Sequence, residues 1–233
     1  MKRPAVTAVL FDLDGTLLDT APDLVGALNH LRAHEGLPAV AVADYQRYVS
    51  QGALGLIRAG LPDGTDERLY EPRRQRFLDH YARHLCEGTR RFDGVELLLE
   101  ALQARGIPWG IVTNKPEFLT LPLVEAIGWN HRACFVISGD TLARRKPDPA
   151  PLLLACELAG VAPGQAVMVG DDPRDLIAGV AAGTQTALAA YGYGAREVLE
   201  SDLAPDHVIE TPLDLLAWMG LCATAPGDRA DLA

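Results

Sequence analysis

The chain has 233 residues, of which 48% are hydrophobic and 22% charged, and its formal net charge is -10. That suits one large globular domain or a core with a smaller companion, and it argues against a nucleic-acid-binding surface, which needs a basic face. No stretch approaches the ~18 consecutive apolar residues of a membrane span, and Met1-Lys2-Arg3 precedes an apolar run too short, and too soon broken by Pro4 and Asp12, for a secretory signal. Cys86, Cys134, Cys156 and Cys222 are scattered without CxxC spacing, which predicts free thiols in a reducing cytoplasm and no zinc ribbon.

In chain order, residues 6–11 form a β-prone apolar run that ends in Asp12 and Asp14 before Gly15-Thr16. The pattern fits a buried strand that delivers two acids at its carboxyl end, the edge where open α/β sheets bind ligands. One carboxylate can attack while the other moves protons, with a hard cation suppressing their repulsion. A solvated Asp-rich turn is the plainer alternative. Thr20 is placed to cap a helix with Pro22 and Asp23 in its first turn, Gly36 as its stop, and Leu24, Leu28 and Leu31 on one face.

Helical character then persists over 42–49, 53–59 and 66–85, with no strand signal before about residue 90. From Phe92, helices over 95–104, 116–127, 149–159, 174–182 and 213–219 alternate with strands at 109–112, 134–138, 166–169, 186–190 and 207–209. Such alternation predicts an α/β fold with a parallel sheet and right-handed crossovers. Residues 224–233 are small, polar and proline-bearing, and are expected to be a disordered tail.

Four polar clusters fall at strand ends or helix starts: Asp12 and Asp14, Thr113 and Asn114, Lys146 in RRKPDP, and Asp171, Asp172 and Asp175 in GDDPRD. Parallel strands all end on one edge, so these clusters can converge. A hydroxyl and N–H groups suit phosphate oxygens, a lysine supplies a compact cation, and grouped carboxylates suit a hard divalent ion. In this order the sequence resembles the haloacid dehalogenase superfamily of phosphatases, on DLDGT at 12–16, IVTN at 111–114, Lys146 with its PDP, and GDDPRD from Gly170. TNKP, KPDPAPLLLA and YGYG are most similar to its phosphoglycolate phosphatase subfamily, which has relatives acting on N-acetylmuramic acid 6-phosphate.

The resemblance implies a Rossmann-like core, 1–19 and 91–223, with an all-helical cap inserted at 20–90. It implies Asp12 as nucleophile, Asp14 as acid and base, and Mg2+ held by Asp12, the Asp14 backbone carbonyl and Asp171. Thr113, Asn114 and Lys146 would bind the phosphoryl group. Asp175 would orient Lys146 or a metal-bound water, and Asp172 either, while Asp19 sits at the cap hinge. Ser50, Gln51 and Gly52 form the expected cap loop reaching into the site. Its lack of a cation leans against a sugar-phosphate mutase. Arg47 and Arg58 flank the loop and either reach an anionic substrate tail or stay solvated. The implied partner is a small phosphorylated metabolite, with no nucleic acid or membrane, in a cytoplasmic monomer or homodimer. The i,i+4 pairs His30/His34 and His80/His84 lack a third ligand in place for zinc, Trp109, Trp129 and Trp218 read as packing, and Arg144-Arg145 as an exposed basic patch.

Overall fold

β1 (Ala8–Phe11) is buried along its whole length, which is why its four residues are all apolar. It alternates across the sheet with period two. Val9 and Phe11 join a core with Leu98, Leu102 and Trp109, whereas Ala8 and Leu10 join another with Leu152, Ala155 and Ala178. The computed structural model describes residues 5–221, so the expected tail at 224–233 and Cys222 lie outside the described residues.

After β1 come β2 (Leu18–Asp19), α1 (Ala21–His34), α2 (Val42–Tyr45), a 3-10 segment at Gln46–Gln51, α3 (Gly52–Gly60), α4 (Glu67–Arg83) and β3 (Arg90–Arg91). The chain then alternates through α5 (Val95–Ala104), β4 (Trp109–Val112), α6 (Glu117–Ile127), β5 (Val136–Ile137), α7 (Ala150–Ala159), β6 (Ala166–Gly170), α8 (Pro173–Ala182), β7 (Gln185–Ala189), α9 (Ala195–Leu199), β8 (His207–Ile209) and α10 (Asp214–Trp218). The sheet order is β5-β4-β1-β6-β7-β8, and every neighbouring pair is parallel. Helices α5, α6 and α10 cover one face and α7 and α8 the other, so this is the expected α/β architecture.

β2 and β3 pair antiparallel as a two-stranded ribbon, Leu18 opposite Arg91 and Asp19 opposite Arg90. The helices between them have their own core, in which Leu24, Leu28, Leu56, Phe77 and Tyr81 meet. Asp23 ties the two ends together by accepting from the Gly88 and Thr89 N–H groups and the Thr89 hydroxyl.

Several local expectations are corrected. Thr20 precedes α1 but caps it with no side-chain bond, because its hydroxyl is committed to Asp14. The helix expected over 42–49 tightens into 3-10 geometry after Tyr45, and the strand expected over 134–138 keeps only Val136 and Ile137. Trp109 and Trp129 are core residues packed edge to face at 6.0 Å, while Trp218 is half-buried against His207. The three described cysteines are free.

Candidate active site

The sequence turns sharply where β1 ends, and the turn depends on close backbone approach. Gly15 has φ +87°, and a Cβ there would stand 2.5 Å from Asp171 Oδ2. Gly192 is as confined, since its Cβ would meet the Asp171 side chain at 2.2 Å. These two glycines let the β1 turn and the loop after β7 close on Asp171, which is fully buried.

Asp12, Asp171 and Asp175 converge, with one carboxylate oxygen of each within 4.8 Å of the others. Lys146, only 3% exposed, donates to Asp12 Oδ1 at 2.7 Å and to the Val112 carbonyl at 2.6 Å, and it pairs with Asp175 at 2.7 Å. Burial alone would pull the Lys146 ammonium down, but Asp12 and then Asp175 outweigh it and push its pKa up to about 12. Asp171 accepts from Thr16, Ser50 and the Gly194 N–H. Burial, reinforced by Asp12 and Asp175, nonetheless holds its carboxyl well above the usual carboxylate range. Asp175 is raised too, first by burial, although Lys146 opposes the shift.

This donor set fits a divalent cation. Three buried carboxylates face a single ammonium, so their full ionisation calls for a further positive charge, which agrees with the raised pKa of Asp171 and Asp175. Oxygen donors alone select hard ions. The Asp14 carboxylate lies outside this group. It accepts from the Thr20 hydroxyl at 2.6 Å and pairs with Lys115 Nζ at 3.0 Å.

Lys115 is a site residue that the residue-by-residue reading passed over. Its side chain is 5% exposed, it contacts both Asp14 oxygens, and it donates to the Tyr81 hydroxyl of α4 at 2.8 Å. Burial works against its charge, but Asp14 and Tyr81 prevail and raise its pKa above the ordinary lysine value. Burial pushes the Tyr81 hydroxyl up to about 12. The available signal was position: a lysine directly after Thr113-Asn114 and before the helix-opening Pro116 has to lie at the sheet edge.

The structure places the other expected residues as follows. Thr113 is buried at the end of β4 and its hydroxyl accepts from the Lys115 N–H. The Asn114 amide is turned to the Lys146 carbonyl at 2.8 Å, so its side-chain donor is engaged within the protein. Asp172 caps α8 and holds Arg174, whose guanidinium reaches across to the Ser50 carbonyl at 2.5 Å. Asp175 completes that capping box by accepting from the Asp172 N–H. Asp19 is bound by the Tyr193 hydroxyl and the Ala21 N–H.

Ser50, Gln51 and Gly52 line one cavity of about 570 Å3 together with Asp12, Asp14, Thr113, Asn114, Lys146, Asp172 and Asp175. Arg74, Arg145 and Arg174 line it as well. Arg47 is directed to Tyr48, with a hydrogen bond of 2.8 Å and its guanidinium 4.8 Å above the ring. His30, His80 and His84 form a stack with 4.0 Å between successive ring centroids.

Similar chains are found among known proteins. The model of the haloacid dehalogenase-like hydrolase family matches residues 9–189. The chain belongs to that family. It is 41% identical, over 93% of its own length and 96% of the relative's, to a Pseudomonas aeruginosa protein named N-acetylmuramic acid 6-phosphate phosphatase. It is also 41% identical, over 91% of its length and 96% of the relative's, to a Xanthomonas campestris protein named phosphoglycolate phosphatase. Among solved structures, a Haemophilus somnus protein described as a "predicted phosphoglycolate phosphatase" superposes with a TM-score of 0.79 at 28% identity, over 91% of this chain and 97% of that one. As a member of the haloacid dehalogenase-like hydrolases, the chain carries the buried aspartates and lysine of its sheet edge in one cluster.

Proposed function

We propose that the chain is a Mg2+-dependent phosphomonoesterase whose Asp12 carboxylate attacks phosphorus. The ester P–O bond breaks, the leaving alkoxide takes a proton from Asp14, and Asp14 then removes a proton from the water that releases inorganic phosphate from the aspartyl phosphate. The carrying observation is the separation of the two carboxylates. Asp12 shares the oxygen cluster with Asp171 and Asp175, while Asp14 stands apart with Lys115 and Thr20. A module that only held a cation would have no use for the second acid, nor would a carbon–halogen hydrolase.

Asp12, the Asp14 backbone carbonyl and Asp171 would hold the metal, with Asp175, already paired with Lys146, orienting Lys146 or a metal-bound water. Mg2+ bound there supplies the charge that lets a carboxylate approach an anionic phosphate. Lys146 neutralises the phosphoryl group while remaining charged, consistent with its raised pKa. Thr113 offers its hydroxyl to the phosphoryl oxygens, and the Asn114 side chain, being engaged with Lys146, would serve by fixing the loop. The helices at 20–90 act as a cap, with Ser50-Gln51-Gly52 at the substrate.

Phosphoglycolate is the first substrate to test, by kinship with phosphatases of that name. N-acetylmuramic acid 6-phosphate is favoured by the cavity, whose volume of about 570 Å3 exceeds what a two-carbon ester needs. Mg2+-supported phosphate release from these two and from hexose phosphates, with and without a chelator, tests the reading. Release that a chelator stops and Mg2+ restores supports it, and release indifferent to chelation refutes the metal assignment. No described helix is long and apolar enough to cross a membrane.

A further inference from the structure

The cavity is lined by four acids and five cations, and most of these charges are already paired. Asp12 and Asp175 are held by Lys146, Asp14 by Lys115, and Asp172 by Arg174. Two cations remain. Arg145 is exposed and adjacent to Lys146; its carbonyl accepts from the Asp148 N–H, but its guanidinium has no hydrogen bond or ion pair to any described residue. Arg74, half-buried on α4, has Glu71 on its own helix as its one ion-pair partner among the described residues, at 3.0 Å and with Glu71 69% exposed. Such a solvated pair contributes little and is readily exchanged for a ligand. Tyr70, one turn before Arg74, also lines the cavity; burial raises its hydroxyl, and Arg74, Arg58 and Arg145 pull it the other way while Glu71 adds to the rise.

Positive groups from two separate elements therefore line one cavity with neither engaged by any of its four acids, in a chain whose net charge is -10. They repel one another until an anion is placed there. We propose that Arg74, Arg145 and the Tyr70 hydroxyl form a second anion subsite, which binds a carboxylate carried by the substrate away from its phosphoryl group. The planar guanidinium fork suits a carboxylate. The substrate class is then a sugar-sized phosphomonoester bearing a carboxylate, in keeping with the volume of about 570 Å3. The inference rests on the phosphatase reading above.

The test compares N-acetylmuramic acid 6-phosphate with N-acetylglucosamine 6-phosphate, which differ by the lactyl carboxylate. The wild type should prefer the carboxylated sugar by about tenfold or more in kcat/KM, the size expected of a hydrogen-bonded charged group. In the double variant Arg74→Gln, Arg145→Gln that ratio should fall towards one. Loss of mere packing would lower both substrates together and leave the ratio intact, which would overturn the subsite, as would equal turnover of the two sugars by the wild type. Calorimetric binding of the same two sugars to Asp12→Asn protein separates the two claims. An arginine-dependent affinity difference without phosphate release from the wild type would uphold the subsite and sink the phosphatase reading. No arginine-dependent difference, with release intact, would do the reverse.

Discussion

Lys146 and Arg145 are neighbours in sequence and opposites in setting. Lys146 is 3% exposed, with its ammonium fixed by Asp12, Asp175 and a backbone carbonyl, whereas Arg145 is exposed at the cavity and its guanidinium has no partner among the described residues. The same contrast runs through the cavity as a whole. Charges at the sheet edge are bought out of water once, at folding, and cannot rearrange cheaply. Charges on the wall nearer solvent are still hydrated and can wait for a ligand. Groups that must stabilise a transition state gain from being fixed beforehand, while groups that select a substrate gain from being left unpaired until it arrives.

Four experiments probe that division, in order of expected effect. Asp12→Asn keeps the shape of the fixed end and removes the attacking charge, so turnover should fall by at least about four orders of magnitude. Single-turnover phosphate release measures it, and substantial residual activity would end the covalent mechanism. Lys115→Met strips Asp14 of its cation. A loss of about a hundredfold in kcat, the scale of acid–base assistance, should appear with KM little changed. A change confined to KM would instead place Lys115 in substrate binding.

The third concerns the histidine stack on α1 and α4, away from the chemistry. Burial, with help from His30, His84 and Arg83, lowers the His80 pKa to about 4 from an ordinary 6.5. Arg76 and Asp79 share the same surface. The unfolded chain therefore takes up a proton before the folded one does as pH falls. Stability is complete above about pH 6.5 and declines progressively towards pH 4. Urea midpoints across that range should show the decline, and His80→Gln should flatten it; an unchanged slope would remove His80 as its source. The smallest effect is expected from Arg47→Ala. Because Arg47 is occupied by Tyr48, stability should shift by no more than about 0.5 kcal/mol, and kcat/KM for carboxylated substrates should hardly move. A loss comparable to that of the Arg74 and Arg145 variant would erase the distinction between these arginines.

What could be read in advance follows the same line. β1, β4 and β6 are buried on both faces, so they appear as unbroken apolar runs, and the polar residues closing them, Asp12, Thr113 and Asp171, stand out by contrast. Lys146 was marked by its PDP sequel. The ribbon of β2 and β3 went unseen because two residues per strand carry no periodicity, and α9, of five residues, was too short to register. Arg74 escaped, and Arg145 read only as part of an exposed basic patch, for another reason. Each lies among other arginines on a polar stretch, and only the packing of α4 over the sheet edge brings the two to one cavity. Pairing between distant side chains, as in Lys115 with Tyr81, leaves no local trace either.

The ribbon has one further consequence. Because Leu18 faces Arg91 and Asp23 grips Gly88 and Thr89, the long insertion leaves and re-enters the core at a single point. For the core, the connection from β1 to β4 then behaves as a short one, since loop-closure entropy depends on the distance between fastened ends and grows only slowly with what lies between them. The helical insertion can form its own hydrophobic cluster while the parallel sheet assembles on its own terms, and two folding problems share one chain with little mutual interference.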